Sequence, residues 1–237
     1  MYKIETHVHT SNTSKCGHID ASILVDKYIE GGYDAVVVTD HFNRATVTYL
    51  NIDLKSPDAW KPFFYGYDAF VKAAEGKPLK VYRGAEVRFD GSENDYLLYG
   101  FDPELVKDPD AVMSGTLEDF YKKCQVCGAV LIQAHPFRDG CFPSNPEFLD
   151  GAEVLNLHPR QNNNNSKAFQ FAKDNNLLMT AGSDCHRMGD YCRAGILTEV
   201  LPEDTFELAN IIKSENYYLF CRNDRSYKHK YAEPVTV

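Results

Sequence analysis

Tyr2-Lys3-Ile4-Glu5-Thr6-His7-Val8-His9 is the stretch of this 237-residue chain that decides its fold. A strand sends alternate side chains to opposite faces, so His7 and His9, two apart, project the same way and can grip one ion. Four more apolar runs finish in groups able to bind a metal. Asp40 and His41 close Ala35-Val36-Val37-Val38-Thr39, Glu86 ends the run from Val81 to Ala85, His135 ends the run from Ala129 to Ala134, and Asp184 and His186 follow Leu177 to Ser183. In a ring of parallel strands the carboxyl ends open on one rim, where groups distant in sequence converge. Imidazole and carboxylate suit zinc, manganese or iron, whereas a cysteine-only set would point to structural zinc or an iron–sulfur cluster.

Helical patterns lie between the strands. Asp20 is placed to cap a helix over 21–30 that Gly31 and Gly32 stop. Further helices are predicted from about Pro57 to Gly76, from Thr116 to Val126, from Asn165 to Asn175 and from Pro202 to Glu215. Strands are predicted at Leu79 to Phe89, Tyr96 to Phe101, Ala129 to His135, Ala152 to Leu157, Leu177 to Gly182, Gly195 to Val200 and Tyr217 to Cys221. Such alternation fits a barrel or an open doubly wound sheet. Ligands from five strands favour the barrel, because an open sheet gathers its ligands near one switch point. Pro136, Gly140, Pro143 and Pro146 mark a loop after His135 that is expected to cover the site.

The length suits one substantial core, with a barrel domain over 1–225 and a polar, aromatic tail over 226–237. No run of about 18 apolar residues could span a bilayer, and the amino terminus lacks the pattern of a secretory signal, so a cytoplasmic protein with no membrane partner is expected. Seven cysteines include only one C-x-x-C pair, Cys124 and Cys127, read as packed apolar residues within a helix. The net charge of −9 argues against duplex nucleic acid as a partner, which would call for a basic stripe. Bound divalent ions would still give the rim a local positive field, so a small anionic substrate remains compatible. Oligomeric state is not read from the sequence.

His7-Val8-His9-Thr10, Thr39-Asp40-His41, Gly84-Ala85-Glu86, Ala134-His135-Pro136 and Gly182-Ser183-Asp184-Cys185-His186, in that order, resemble the polymerase and histidinol phosphatase (PHP) family over nearly the whole chain, from residue 4 to about 220. The resemblance implies a distorted (β/α)7 TIM-like barrel with a centre of two or three divalent ions. It implies that His7 and His9 bind the first ion, that Glu86 bridges two, that His135 binds the second and that Asp184 lies near the first, with His41 and His186 on a third. Two positions depart from the family pattern. The histidine expected soon after the HxH element has His18 as its candidate, and the histidine expected on the strand after the glutamate is replaced by Asn94-Asp95-Tyr96, where either Asp95 substitutes or the place is empty. Asp40 is expected to orient a ligating histidine rather than to touch metal, and His229, among lysines, to be solvated.

The implied reaction is hydrolysis of a phosphate ester of a small metabolite or nucleotide by water that the ions activate, with no serine or cysteine nucleophile. Arg138 and Arg160, with His158 beside Arg160 and Arg187 next to His186, are candidates for gripping the phosphate, since guanidinium binds such oxygens in pairs. Two other readings remain: an amidohydrolase-like metal hydrolase, and a non-catalytic or proofreading PHP module of a DNA polymerase. Amidohydrolases usually bridge their metals with a modified lysine, where this chain has Glu86. The acidic balance and the lack of a polymerase pattern in these residues make the module the less expected reading.

Overall fold

The computed structural model describes residues 1–222; the expected tail over 226–237 and His229 lie outside the described residues. β1 (Tyr2–Val8), α1 (Ala21–Glu30) and β2 (Ala35–Val38) make the first βα unit, with β2 parallel to β1. The Asp20 carboxylate caps α1 by accepting from the Ser22 N–H at 2.9 Å, and Leu24, Val25 and Tyr28 form the buried face of the helix. After Asp40 the chain adds a two-residue strand, β3 (His41–Phe42), which pairs with the carboxyl end of β4 (Lys80–Val87) and sets His41 in register with Glu86.

β5 (Tyr96–Tyr99), β6 (Val130–Gln133), β7 (Gly151–Asn156) and β8 (Leu178–Gly182) continue the sheet from β4. β8 returns to β1 just beyond its end: Val8 bridges Cys185 in parallel, and the His9 N–H donates to the Cys185 carbonyl at 3.1 Å. Seven strands therefore ring the nearly closed barrel, namely β1, β2, β4, β5, β6, β7 and β8. One of them, β5, runs antiparallel to both neighbours. Only residues 88–95 separate it from β4, too few for a crossover helix, which takes about a dozen residues. Gly91, at φ +75°, supplies the turn. Outside the ring, β9 (Ala194–Thr198) lies antiparallel to the first residues of β1, and β10 (Tyr217–Cys221) antiparallel to β9.

The two faces of the strands separate cleanly. Val36 and Val38 pack with α1 and with Phe70 of the helix Tyr65–Ala74, on the outside. Val37, between them, joins Ile4, Tyr82, Leu97, Tyr99 and Ile132 from around the ring in one cluster with Leu208 and Ile212 of the last helix, which runs Thr205–Ser214. Apolar residues thus fill the barrel interior behind the polar rim.

The helix expected from Pro57 begins only at Tyr65, after a single 3-10 turn over Lys61–Phe64. Two short helices, Arg44–Leu50 and Pro109–Met113, have no counterpart among the sequence expectations; at two turns or fewer they are too short to show a helical period. Cys124 is buried in the core as expected, but Cys127 is exposed, because it lies at the end of helix Leu117–Cys127 on the face turned from the core. Among the described residues no helix is long and apolar enough to cross a membrane.

Candidate metal centre

The five sequence motifs meet at one rim. His7 Nε2 and His9 Nε2 lie 3.1 Å apart. Glu86 faces four imidazoles: its Oε1 is 3.3 Å from His7 Nε2 and 3.1 Å from His135 Nε2, and its Oε2 is 3.2 Å from His9 Nε2 and 2.9 Å from His41 Nδ1. Asp184 Oδ1 completes the set, at 3.5 Å from His7 Nε2, 3.3 Å from His9 Nε2 and 3.2 Å from His186 Nδ1. Four overlapping groups of donor atoms result, each within 4.8 Å: His7, His9 and Glu86; His7, His135 and Asp184; His41, Glu86 and Asp95; and His9, His41 and His186.

Backbone geometry contributes to this convergence. His135 at φ 30° and Asp184 at φ 50° occupy the left-handed region, which non-glycine residues seldom adopt. Strain of this kind persists where the surroundings over-determine it, and it gathers at functional positions. Here it turns both side chains back toward the rim at the point where their strands end.

A layer of buried partners aims the donors. The His7 Nδ1–H donates to Glu153 Oε1 at 2.9 Å, which leaves Nε2 for the centre. Glu153 Oε2 also accepts from the His135 backbone N–H at 3.1 Å and from the Asn156 amide at 2.8 Å. Asp184 Oδ2 is taken by the Arg138 guanidinium and by the Asn156 amide, the latter at 3.1 Å. Asp40 touches none of the donor groups; it accepts from the Ser14 hydroxyl at 2.6 Å, and that hydroxyl lies 3.4 Å from His9 Nδ1. Gly66 makes room for this network: a Cβ there would come within 1.9 Å of Asp40 Oδ2. Asp95 is buried and bound by Arg88 at both oxygens, at 2.7 and 2.5 Å, while its Oδ2 stands 3.9 Å from His135 Nε2.

The electrostatics fit a divalent cation. Asp184 Oδ1 and His41 Nδ1 are buried without a hydrogen-bond partner among the described residues. His41 Nδ1 is close to Glu86 yet not aligned with it as a hydrogen bond, so both aim at shared space. Burial alone would lower the pKa of His7 and His41, but nearby carboxylates, Glu153 foremost for His7 and Glu86 for His41, raise both well above the ordinary value. Burial likewise opposes ionisation of Glu86 and Asp184, but His41 beside the first and Arg138 beside the second hold them well below the ordinary carboxylate range. Crowded acceptors that keep protons only by strong mutual attraction are the donor set that a divalent ion stabilises on displacing those protons.

The expected phosphate grip lies beside this cluster. Arg138, Arg160, Arg187, His158 and His186 line a cavity of about 340 Å³. Arg160 is paired with both oxygens of Asp190, at 2.7 and 2.5 Å, which fixes its fork. The His158 pKa is lowered to about 4 by burial, so the ring is neutral and one of its nitrogens accepts from Arg160, whose backbone N–H lies 3.3 Å from Nδ1 and whose guanidinium lies 3.3 Å from Nε2.

His18 is the one expected ligand outside every donor group. Its side chain is exposed while its backbone N–H donates to the His186 carbonyl at 2.7 Å, and it lines the adjoining cavity together with the half-buried Cys16. Burial raises the Cys16 pKa, but the nearby His41 and His186 outweigh that and lower it to about 5. Sequence reasoning also passed over Glu153 and Asn156. Their signal was present: an acid inside the apolar run Gly151-Ala152-Glu153-Val154 requires a partner when buried.

No curated protein matches the chain by sequence. Solved structures do share its fold. A two-domain protein of Bacteroides vulgatus containing a predicted PHP-like metal-dependent phosphoesterase superposes with a TM-score of 0.66 at 16% identity, over 93% of this chain and 65% of that protein. PsfC of Pseudomonas syringae matches with a TM-score of 0.63 at 17% identity, over 94% of this chain and 92% of its own. An amidohydrolase of Chromobacterium violaceum, with bound sulfate and no metal, matches with a TM-score of 0.55 at 15% identity, over 95% of this chain and all of its own. The family model of the PHP domain matches residues 5–229, and the chain belongs to that family.

Proposed function

We propose that this protein is a metal-dependent phosphoesterase that hydrolyses the phosphate ester of a small metabolite or nucleotide. The observation that carries this reading is the position of Arg138, whose guanidinium touches Asp184 at the donor cluster and also lines the adjoining cavity. A phosphate seated there meets cationic side chains on one side and the metal donors on the other, an arrangement suited to a dianionic ester and of little use to a neutral amide.

In this reading His7, His9, Glu86 and Asp184 would hold one ion, His135 and Asp95 beside Glu86 would hold a second, and His41 and His186 would serve a third. Zinc, manganese and iron all suit such donors. Bound there, divalent ions supply Lewis-acid polarisation of the phosphoryl group and make water acidic enough to attack it. Glu153 keeps the His7 proton on Nδ1. Arg138 keeps Asp184 ionised and offers its remaining N–H groups to phosphate oxygens. Arg160, locked to Asp190, shapes the cavity wall, and Arg187 adds charge at its edge.

The cavity volume and the net charge of −9 favour a small substrate over duplex nucleic acid. Seven free cysteines suit a reducing compartment such as the cytoplasm. The test is to strip the protein of metal, reload it with manganese or zinc, and offer p-nitrophenyl phosphate and a dihydroorotate-type amide in parallel. Metal-dependent ester hydrolysis without amide cleavage is expected. Amide cleavage alone, or full ester turnover in the chelated protein, overturns the proposal.

A further inference from the structure

Arg138 reaches the cavity already held along one side. Its Nε–H donates to Asn163 Oδ1 at 2.8 Å, and its Nη2 donates to Asn156 Oδ1 at 3.2 Å and to Asp184 Oδ2. A guanidinium carries five N–H groups, and these contacts occupy three of them, so the two on Nη1 remain for the cavity that Arg138 lines. Asn163 is buried, and its amide nitrogen donates to the Asn156 carbonyl at 3.0 Å and to Asn156 Oδ1 at 2.9 Å. That fixes the amide: nitrogen toward Asn156, oxygen toward Arg138. The next two residues brace the same corner. Asn164, at φ 46°, turns the chain and donates to the Phe137 carbonyl at 2.8 Å, one residue before Arg138. Asn165 pairs with the backbone of Asn156 as a neighbouring strand would, accepting its N–H at 3.1 Å and donating to its carbonyl at 3.0 Å.

We infer that Asn163 is a positioning residue for phosphate binding: it acts through Arg138, turning the guanidinium so that Nη1 meets the substrate. The inference rests on the phosphoesterase reading above and deepens it by naming the atom that grips the phosphate and the side chain that aims it. With Nε and Nη2 occupied, the fork of two nitrogens with which arginine usually clasps a phosphate is closed, and Nη1 donates alone. Without Asn163 the guanidinium keeps its charge and its contacts to Asn156 and Asp184 but loses the anchor at Nε, so its rotation must be frozen afresh each time an anion binds.

The experiment measures the binding of inorganic phosphate to the metal-loaded full chain by calorimetry, beside bound metal and turnover of p-nitrophenyl phosphate. Asn163→Ala should weaken phosphate binding by about tenfold or more, the scale of one hydrogen bond to a charged group, and should raise KM more than it lowers kcat, with bound metal unchanged. Asn163→Asp retains an acceptor for Arg138 Nε and loses the donor to Asn156, so it should restore most of the lost affinity. In an Arg138→Ala background Asn163→Ala should cost nothing further, because the group it acts through is gone. Losses that add in the double variant, a fall in bound metal, or wild-type phosphate affinity in Asn163→Ala overturn the inference and leave the phosphoesterase reading standing. If Asn163→Ala does not fold, Asn163→Asp decides alone: phosphate affinity as poor as that of Arg138→Ala overturns the inference, and affinity near the wild type supports it. A wild-type chain that neither binds phosphate nor hydrolyses the ester overturns both.

Discussion

The inner and outer halves of the donor cluster are built by different means. The inner half, His7, Glu86, His135, Asp95 and Asp184, is at most 3% exposed, and partners hold it from behind: buried Glu153 for His7 and His135, half-buried Arg88 for Asp95, Arg138 and Asn156 for Asp184. The outer half, His41 and His186, is 16% and 13% exposed; His41 stands on the two-residue strand β3, and His186 follows β8 on a loop where its backbone N–H donates to Asp190. The contrast shows where chemistry is fixed and where it can drift. Ligands locked by their neighbours cannot change alone, whereas the outer pair opens toward solvent.

The heaviest blow to the inner half is Glu86→Ala, which removes the carboxylate that faces four imidazoles. Turnover of p-nitrophenyl phosphate should fall by about a thousandfold or more, as when a preorganised electrostatic group is lost from a site, while the far-ultraviolet circular dichroism is retained. Glu153→Ala probes the supporting layer without touching the centre. A loss of about ten- to a hundredfold in metal affinity is expected, measured by competition with a chromophoric chelator; an unchanged affinity would mean that the inner half needs no backing. Gly66→Ala forces a methyl group against Asp40 and should cost about 1–3 kcal/mol of stability by overpacking, read from urea unfolding.

The mildest test sharpens the outer half through pH. Burial lowers the His186 pKa, but Asp184 outweighs it and raises the value from 6.5 to about 10. A histidine raised in the folded state contributes stability that is complete below 6.5 and is lost as the pH climbs through about 10. Metal-free protein should therefore weaken over that interval, and His186→Ala should flatten the decline in thermal unfolding curves recorded across it.

The strand ends were legible because each donor closes an apolar run, and a residue that stops a run announces itself. Glu153 was hidden by the opposite circumstance: it sits within a run, and reading run ends alone passes it by. The exposure of His18 was hidden because a folded turn has no period, so spacing after the HxH pair could not tell which way residue 18 faces. The barrel was legible from its recurring strands and helices, and the absence of a helical stretch between Val87 and Tyr96 allowed the reversed β5. The two helices of five and seven residues were not legible, since neither repeats a pattern long enough to be seen.

The meeting of β1 with the end of β8 at Val8 and Cys185 leaves the barrel with a seam, and His9 and Asp184 stand on its opposite banks. A cation held between them would act as a clasp across the 175 positions from residue 9 to residue 184, a linkage whose stabilising value grows with the loop it closes. Catalysis and the integrity of the ring then depend on the same bond, and chelation should open the clasp as well as silence the enzyme.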